Sequence, residues 1–268
     1  MDTLVADTIT KLPPGAAGAV VVSGSHGGRY PGYLAARAGL RAVILCDAGI
    51  GLEEAGVGAL PYLEALGIAA AAVSHLSCRI GDTADMLARG RISRANTVAA
   101  AAGVTAGMAT AAAVRRLQAA PLIEAEPPAL GESRSEVTGA GARRILLLDS
   151  AALVRPEDAG CIVVTGSHGG LVGGDPAMAL RTEGFAAVYN DAGIGIEQAG
   201  IQRLPALERR GIAAFTVAAA TARIGEARSS YEQGVISAAN ETARRLGAAV
   251  GLPARQLLQS WSGLAAAS

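Results

Sequence analysis

Residues 20–28 read Val-Val-Val-Ser-Gly-Ser-His-Gly-Gly, and residues 162–170 read Ile-Val-Val-Thr-Gly-Ser-His-Gly-Gly. Each segment begins with a short β-branched run and ends at glycines, which is typical of a buried strand that leads into a loop. A nine-residue pattern that occurs twice in one chain indicates an internal repeat, and a repeat usually determines the architecture.

Two further motifs return in the second half of the chain. Asp-Ala-Gly-Ile-Gly at 47–51 recurs at 191–195, and Arg-Ile-Gly at 79–81 recurs at 223–225. Around these motifs, strand-like apolar runs alternate with helix-like stretches, and this alternation predicts parallel sheets flanked by helices. We therefore expect an α/β fold of two homologous repeats, each a mostly parallel sheet flanked by helices, related by a pseudo-two-fold axis.

Composition along the chain predicts where the repeats divide. A first α/β repeat is expected over residues 1–120, a Pro/Gly-rich linker over 121–142 and a second α/β repeat over 143–268. The stretches 93–104 and 237–246 are predicted as the last helix of each repeat.

Overall composition narrows the class of protein. Of the 268 residues 51% are hydrophobic and 17% are charged, so a sizeable core can form. The 23 basic residues balance the 23 acidic ones and aromatic residues are scarce, so neither nucleic acid nor a membrane is expected as a partner. Three cysteines without a CxxC pair, and an N-terminus without signal-peptide features, predict a cytoplasmic protein. The sequence leaves open whether the chain forms a homo-oligomer.

The three repeated motifs each follow a predicted strand, and ligands of parallel α/β sheets bind at the carboxyl ends of the strands. The motifs are therefore expected to share one rim. The predicted catalytic residues are His26, His168, Asp47 and Asp191. The predicted substrate-binding residues are Ser25, Gly27, Gly28, Ser167, Gly169, Gly170, Arg79 and Arg223.

Each of these residue types has a chemical and a structural interpretation. The histidines suit proton transfer and the glycine N–H groups suit an anion, or the loops are tight turns in which histidine caps a carbonyl. The aspartates could orient a histidine, hold a ligand or bind a metal, or they form Asx-turns. The arginines suit a carboxylate or phosphate, or they form ion pairs with an acidic neighbour such as Asp47.

The copies also differ, and the difference places polar side chains in the first half. A possible nucleophile or polar site there comprises Cys46, His75, Ser77 and Cys78, where the second half has Asn190, Ala219, Thr221 and Ala222. This predicts one asymmetric active centre, mainly on the first half. Alternatively, Cys46 and Cys78 are small buried hydrophobic residues.

These residues predict a small-molecule enzyme, with hydrolysis of an amide, ester or lactone bond of a small anionic metabolite as the leading reaction. A lyase or isomerase that uses the same His/Asp/Arg rim is an alternative, and so is a non-catalytic metabolite-binding protein. No cofactor is predicted. A divalent metal held by His26, His168 and the two aspartates stays open if the halves face each other.

Overall fold

The first half of the chain builds a mostly parallel sheet. The computed structural model describes residues 3–138 and 141–264, and in this part of the chain the first sheet has five strands in sequential order. They are β1 (Thr3–Ala6), β2 (Val20–His26), β3 (Ala42–Cys46), β4 (Ala69–Val73) and β5 (Ile92–Ala95). Strands β1 to β4 are parallel, and β5 pairs antiparallel with β4.

Helices cover both faces of this sheet. They are α1 (Arg29–Arg37), α2 (Ala59–Ala65), α3 (Thr83–Arg89), α4 (Thr97–Ala101) and α5 (Thr110–Leu117). Successive strand residues point to opposite faces, so Val21 packs with α1 and α2 whereas Val20 and Val22 pack with α3 and α5. Both faces of each inner strand are buried, which explains the continuous apolar runs of the sequence.

The second half builds a similar sheet, which has six strands within the described residues. They are β6 (Arg134–Glu136), β7 (Ile145–Leu148), β8 (Ile162–His168), β9 (Ala186–Asn190), β10 (Ala213–Val217) and β11 (Ile236–Ala239). Strands β7 to β10 are parallel, and the two edge strands β6 and β11 pair antiparallel with β7 and β10.

The flanking helices of the second sheet are fewer on one side. α6 (Arg203–Glu208) packs on one face together with a 3₁₀ turn at Pro176–Ala179. The opposite face carries α7 (Ala227–Glu232), α8 (Glu241–Arg245) and α9 (Ala254–Ser262), whose Trp261 is fully buried among them. The molecule is thus a mixed α/β structure with two mostly parallel sheets flanked by helices.

In two of the stretches predicted as helices, the first residues form a strand and the helix begins after it. The stretch 93–104 contains β5 followed by the short helix α4, and 237–246 contains β11 followed by α8. The Asn96 side chain accepts the Ala99 N–H group at 2.9 Å and caps α4, so the helix begins later than predicted. Pairing with β4 extends the Ile-Ser-Arg-Ala segment, because a nonlocal ladder overrides a weak local preference for helix.

The repeated motifs meet where the two halves touch. A small apolar cluster there combines Cys46, Ala48 and Ile80 with Ala192, Ala199 and Ile224. The contacts are reciprocal, since Leu52 N–H donates to the Ala219 carbonyl at 2.8 Å and Ile196 N–H donates to the His75 carbonyl at 2.9 Å. The strand-end loops of both sheets therefore face each other across one contact region.

Candidate functional site

A cavity of ≈ 90 Å³ lies between the halves and is lined by both repeated histidines. His26 is the last residue of β2 and His168 the last residue of β8. The parallel strands place both residues at carboxyl ends, where α/β proteins bind ligands. The structure therefore brings the two predicted histidines together in one cavity.

The imidazole of His26 is held by its own loop. Its Nδ1 accepts the Gly28 N–H group at 3.1 Å, which leaves the ring proton on Nε2 in the neutral form. Burial lowers the pKa of His26 to about 4, so the ring is neutral at pH 7. The histidine therefore accepts a hydrogen bond from a backbone N–H group, whereas the tight-turn interpretation expected it to cap a carbonyl.

His168 lies in the same kind of loop and is more deeply buried. It is 6% exposed, and its Nδ1 is buried without a hydrogen-bond partner beside the Gly170 backbone. Burial, the Arg203 charge and His26 together lower its pKa well below the usual value. Neither Nε2 atom is hydrogen-bonded to a described residue, and both neutral rings belong to residues that line the cavity.

Arg203 is a buried positive charge in the cavity, which the exposed Arg181 also lines. The Arg203 side chain is 3% exposed, and its guanidinium donates only to backbone carbonyls, those of Gly170 at 3.0 Å, Met178 at 2.7 Å and Ala179 at 2.6 Å. The group also lies over the Tyr189 ring at 4.8 Å. No carboxylate of the described residues lies within ion-pair distance of it. Burial lowers the pKa of Arg203, yet a guanidinium remains charged.

A wider cleft of ≈ 360 Å³ adjoins the cavity on the His26 side. His26, Tyr30 and Glu132 line both spaces. Burial and the nearby Asp149 carboxylate raise the pKa of Glu132 to about 7, and burial together with Glu132 raises the pKa of Tyr30. Glu132 is thus a carboxyl group that can take up or release a proton near neutral pH.

On the side of the second histidine, a loop packs against the first half. Gly173 N–H donates to the Gly81 carbonyl at 2.8 Å, and the segment 171–174 lies over the Arg79-Ile80-Gly81 turn. The two residues by which the second copy is longer fall between His168 and Asp191, and Gly173-Gly174 lies in this loop. This loop makes the two sides of the histidine cavity different.

Most of the groups predicted to bind substrate are already hydrogen-bonded, namely the N–H groups of Gly27, Gly28 and Gly169 and the oxygens of Ser25 and Ser167. Gly27 N–H donates to the Cys46 carbonyl at 2.6 Å, and Gly169 N–H donates to the Asn190 carbonyl at 2.8 Å. Ser25 Oγ accepts the Ile9 N–H group at 3.0 Å, and the same contact joins Ser167 and Ala151 at 2.9 Å. These amides therefore hold the strand ends in place and are not open to a ligand, whereas the serine hydroxyls keep a proton to donate toward the cavity they line.

Asp47 lies away from the histidine cavity and binds His75. The Asp47 Oδ1 atom accepts His75 Nδ1 at 2.8 Å and the His75 N–H group at 2.9 Å. Burial raises the pKa of Asp47, but these hydrogen bonds outweigh burial and keep it below the usual value. The aspartate thus orients a histidine, as the sequence suggested, but this histidine is His75 and not His26.

Asp191 has the backbone contacts of Asp47 without the imidazole. Its Oδ1 accepts the N–H groups of Gly193 and Ala219, both at 2.9 Å. The Gly193 contact is an Asx-turn, and Gly49 makes the corresponding bond to Asp47 at 3.3 Å. Both aspartates therefore shape the Asp-Ala-Gly-Ile-Gly loop.

The two predicted arginines form ion pairs between the halves. Arg79 contacts Asp82, Asp85 and Glu197, at 2.9, 3.1 and 2.9 Å. Arg223 contacts Glu226 at 2.8 Å and Glu53 at 3.2 Å. An ion pair was the alternative to anion binding, but its expected partner Asp47 is not involved. Arg223 also lines the wider cleft.

The polar residues specific to the first half are mostly structural. Cys46 and Cys78 are fully buried, and the neighbouring Cys78 thiol together with burial raises the pKa of Cys46. Ser77 Oγ donates to the Ser74 carbonyl and accepts the Arg91 N–H group, both at 2.8 Å. The thiols therefore resemble buried hydrophobic residues, and Ser77 fixes a turn.

The four-residue metal arrangement is not formed, since neither Asp47 nor Asp191 lines the cavity of His26 and His168. Within residues 3–138 and 141–264, no three His, Cys, Asp or Glu side chains are grouped to hold a metal. No helix in the same ranges combines the length and apolar character needed to cross a bilayer. No protein-family model, curated protein or solved structure matches the chain.

Two residues of this site, Arg203 and Glu132, were not predicted from the sequence. Arg203 stands where the first copy has Ala59, at the constant shift of 144 that aligns the second parts of the copies. A charge on the inner face of a short helix was thus visible as a difference between copies. Glu132 lies in the predicted linker and has no counterpart in the first half, so only the fold could place it beside His26.

Proposed function

We propose that this chain is a small-molecule enzyme that hydrolyses an amide, ester or lactone bond of a compact anionic substrate in the cavity of His26 and His168. The observation that carries the proposal is the buried Arg203 guanidinium, which lines this cavity without a carboxylate partner among the described residues. A buried charge is costly unless it is paired. An anionic group of the substrate would supply the missing counter-charge.

The histidines suit the stabilisation of an oxyanion. Both rings are held neutral by burial, and Nε2 of His26 carries the ring proton because Nδ1 accepts the Gly28 N–H group. A fixed N–H donor in a cavity stabilises negative charge that develops on a carbonyl oxygen. We therefore assign the stabilisation of the oxyanion to the imidazoles and not to the glycine N–H groups, which we expected to bind an anion.

Glu132 is the group best suited to move the proton. With a pKa of about 7 it is partly ionised at neutral pH, which suits a general base. The Glu132 carboxylate would take a proton from water, whose oxygen attacks the carbonyl carbon. The resulting oxyanion would be held by Nε2–H of His26, and the Glu132 carboxyl would return the proton to the leaving nitrogen or oxygen as its bond to carbon breaks.

The same groups support a lyase or isomerase as a second candidate. A carboxylate base paired with a neutral imidazole donor is the arrangement that proton removal next to a carbonyl requires, because it stabilises an enolate. The Glu132 pKa of about 7 and the neutral His26 ring support a lyase or isomerase reaction as well as they support hydrolysis. A binding protein without turnover would need Arg203 but not Glu132.

We further propose that the halves are homologous repeats related by a pseudo-two-fold axis and that they arose from a homodimer. The reciprocal bonds Leu52–Ala219 and Ile196–His75, between positions that match in sequence, support this proposal. The three cysteines are free and buried, which suits a reducing compartment, so we propose a cytoplasmic protein.

The test begins with anion binding and continues to turnover. Small carboxylates should raise the melting temperature of the protein, and Arg203→Gln should abolish the effect while Arg209→Gln, at an exposed arginine of the same region, keeps it. Esters, amides, lactones and 2-oxo acids are then screened for product by NMR, which separates hydrolysis from isomerisation.

With a substrate identified, Glu132→Gln should lower kcat by about 10²–10⁴-fold, and His26→Ala by about 10²–10³-fold. Glu126→Gln, at an exposed glutamate of the same segment, should leave kcat unchanged. The rate of the wild type should rise with pH through about 7 as Glu132 ionises. Full activity in folded Glu132→Gln would refute the mechanism, and anion binding without any turnover would favour the binding protein.

A further inference from the structure

A depression of ≈ 590 Å³ opens beside Asp191, outside the histidine cavity. Asp191 lies in it, the segment 218–220 forms one side and the loop 49–53 forms the other. At the constant shift of 144, these positions match the surroundings of His75 in the first half. The depression is thus the place that His75 occupies beside Asp47.

The first half shows what fits this place. The His75 ring donates from Nδ1 to Asp47 Oδ1 at 2.8 Å, and its Nε2 edge lies against Gly193. In the second half Ala219 keeps the backbone contacts, since its N–H group donates to Asp191 Oδ1 at 2.9 Å and its carbonyl accepts the Leu52 N–H group at 2.8 Å. The two places have the same backbone arrangement and differ by one imidazole ring.

Asp191 is left without the partner that Asp47 has. The residue is only 4% exposed, and its Oδ2 atom forms no hydrogen bond with a described residue. None of the residues that line the depression is cationic, and the Glu53 carboxylate at its rim pairs with Arg223 at 3.2 Å, whereas Asp191 forms no ion pair with a described residue. A nearly buried carboxylate with an unused oxygen favours a ligand that carries N–H donors and positive charge.

We propose that this depression binds a small molecule that carries an imidazole or imidazolium ring, and that the ring donates to Asp191 as His75 donates to Asp47. The site does not rest on the proposed hydrolysis, because it shares no lining residue with the histidine cavity. The planar ring would lie between the glycines of the two loops. These loops pack closely, since a Cβ atom built on Gly51 would contact Ala219.

Imidazole itself is the probe. A titration followed by amide shifts in NMR at pH 7 should show saturable binding at one site, with a dissociation constant on the order of 1–10 mM, as expected for a ligand of so few atoms. The largest shifts should fall on the amides of Gly193 and Ala219. Acetate at the same concentration should not move these signals, because Asp191 repels an anion.

Ala219→His fills the depression with the side chain it lacks and should weaken imidazole binding at least tenfold. Ala249→His adds the same side chain at an exposed position outside the depression and should leave binding unchanged. If Ala219→His does not fold, Asp191→Asn removes the charge and should weaken binding to the same degree.

His75→Ala provides the converse test, since it opens the matching space beside Asp47. The number of imidazole sites should rise from one to two, with new shifts at Gly49. The proposal is overturned if imidazole shows no saturable binding up to about 100 mM. It is equally overturned if folded Ala219→His and Asp191→Asn both bind as the wild type does, or if His75→Ala gains no second site.

Discussion

The Asp47 loop and the Asp191 loop share their backbone hydrogen bonds and differ in what occupies the space above the carboxylate. His75 fills that space in the first half, and Ala219 leaves it open in the second. The same contrast recurs at the histidine cavity, where Ala59 corresponds to Arg203 and where a loop on the side of His168 packs against the first half.

This contrast separates scaffold from chemistry. The repeated aspartates and glycines mostly shape the strand-end loops, through Asx-turns and backbone hydrogen bonds, and the repeated arginines form ion pairs between the two halves. Arg203 and Glu132, the charged groups to which we assign substrate binding and proton transfer, stand where the two halves differ in sequence. The two histidines, together with Ser25 and Ser167, are repeated residues that line the cavity.

The largest effect is expected where the two loops touch. Gly49 has φ of 76° and a Cβ atom there would lie 2.7 Å from Gly193 Cα, so Gly49→Ala should lower the free energy of unfolding by at least about 3 kcal/mol. Gly15→Ala is the matched control, because φ is 79° and nothing lies within 4 Å of its Cβ position. That variant should cost about 1 kcal/mol by urea denaturation. Equal losses would show that the loops do not touch.

The second comparison concerns the pH dependence that the two histidines create. Both pKa values are lowered in the folded protein, to about 4 for His26, so the unfolded chain binds more protons as pH falls below about 6.5. Stability should therefore decline between pH 6.5 and 4. His26→Asn should reduce this decline by about 2 kcal/mol, allowing for its partial exposure.

His168→Asn should reduce the decline by more than His26→Asn does, because His168 is more deeply buried and lies near Arg203. Urea denaturation at pH 7 and pH 4.5 measures both variants. The reverse order would mean that the two loops differ in burial in the opposite sense to the structure.

Glu132 lies on the His26 side of the histidine cavity, which adjoins the wider cleft. Its pKa is raised to about 7, so its contribution to stability is retained below about pH 4.5 and lost as pH rises through 7. The whole shift corresponds to about 3 kcal/mol, which partial exposure reduces to about 1–2 kcal/mol. Glu132→Gln should therefore stabilise the protein at pH 8 and have little effect at pH 4.5. Equal effects at both values would contradict the raised pKa.

The smallest difference is expected between the two interface arginines. Arg79 contacts three carboxylates and Arg223 contacts two, all partly exposed except Asp85. Arg79→Gln should cost more stability than Arg223→Gln, by less than about 1 kcal/mol, and 1 M salt should reduce the difference. A larger cost for Arg223→Gln would show that its place in the wider cleft matters more than the number of partners.

Most strands were predictable from local sequence, whereas several helices and edge strands were not. β2 and β8 contain the β-branched runs at 20–22 and 162–164 that predicted them, because such runs followed by glycines are typical of buried strands. β5, β6 and β11 depend on antiparallel pairing with residues far along the chain, and Ile-Ser-Arg-Ala carries no local sign of that pairing.

The sequence by itself determined the alternation of strands and helices and the positions of the motifs at strand ends, because both follow from local apolar periodicity and glycine. Only the tertiary structure decided the partners of those motifs. It paired Asp47 with His75, joined Arg79 to Glu197 and placed Glu132 beside His26. Such contacts arise from the docking of two sheets, and the local chain does not encode which strand-end loops will face each other.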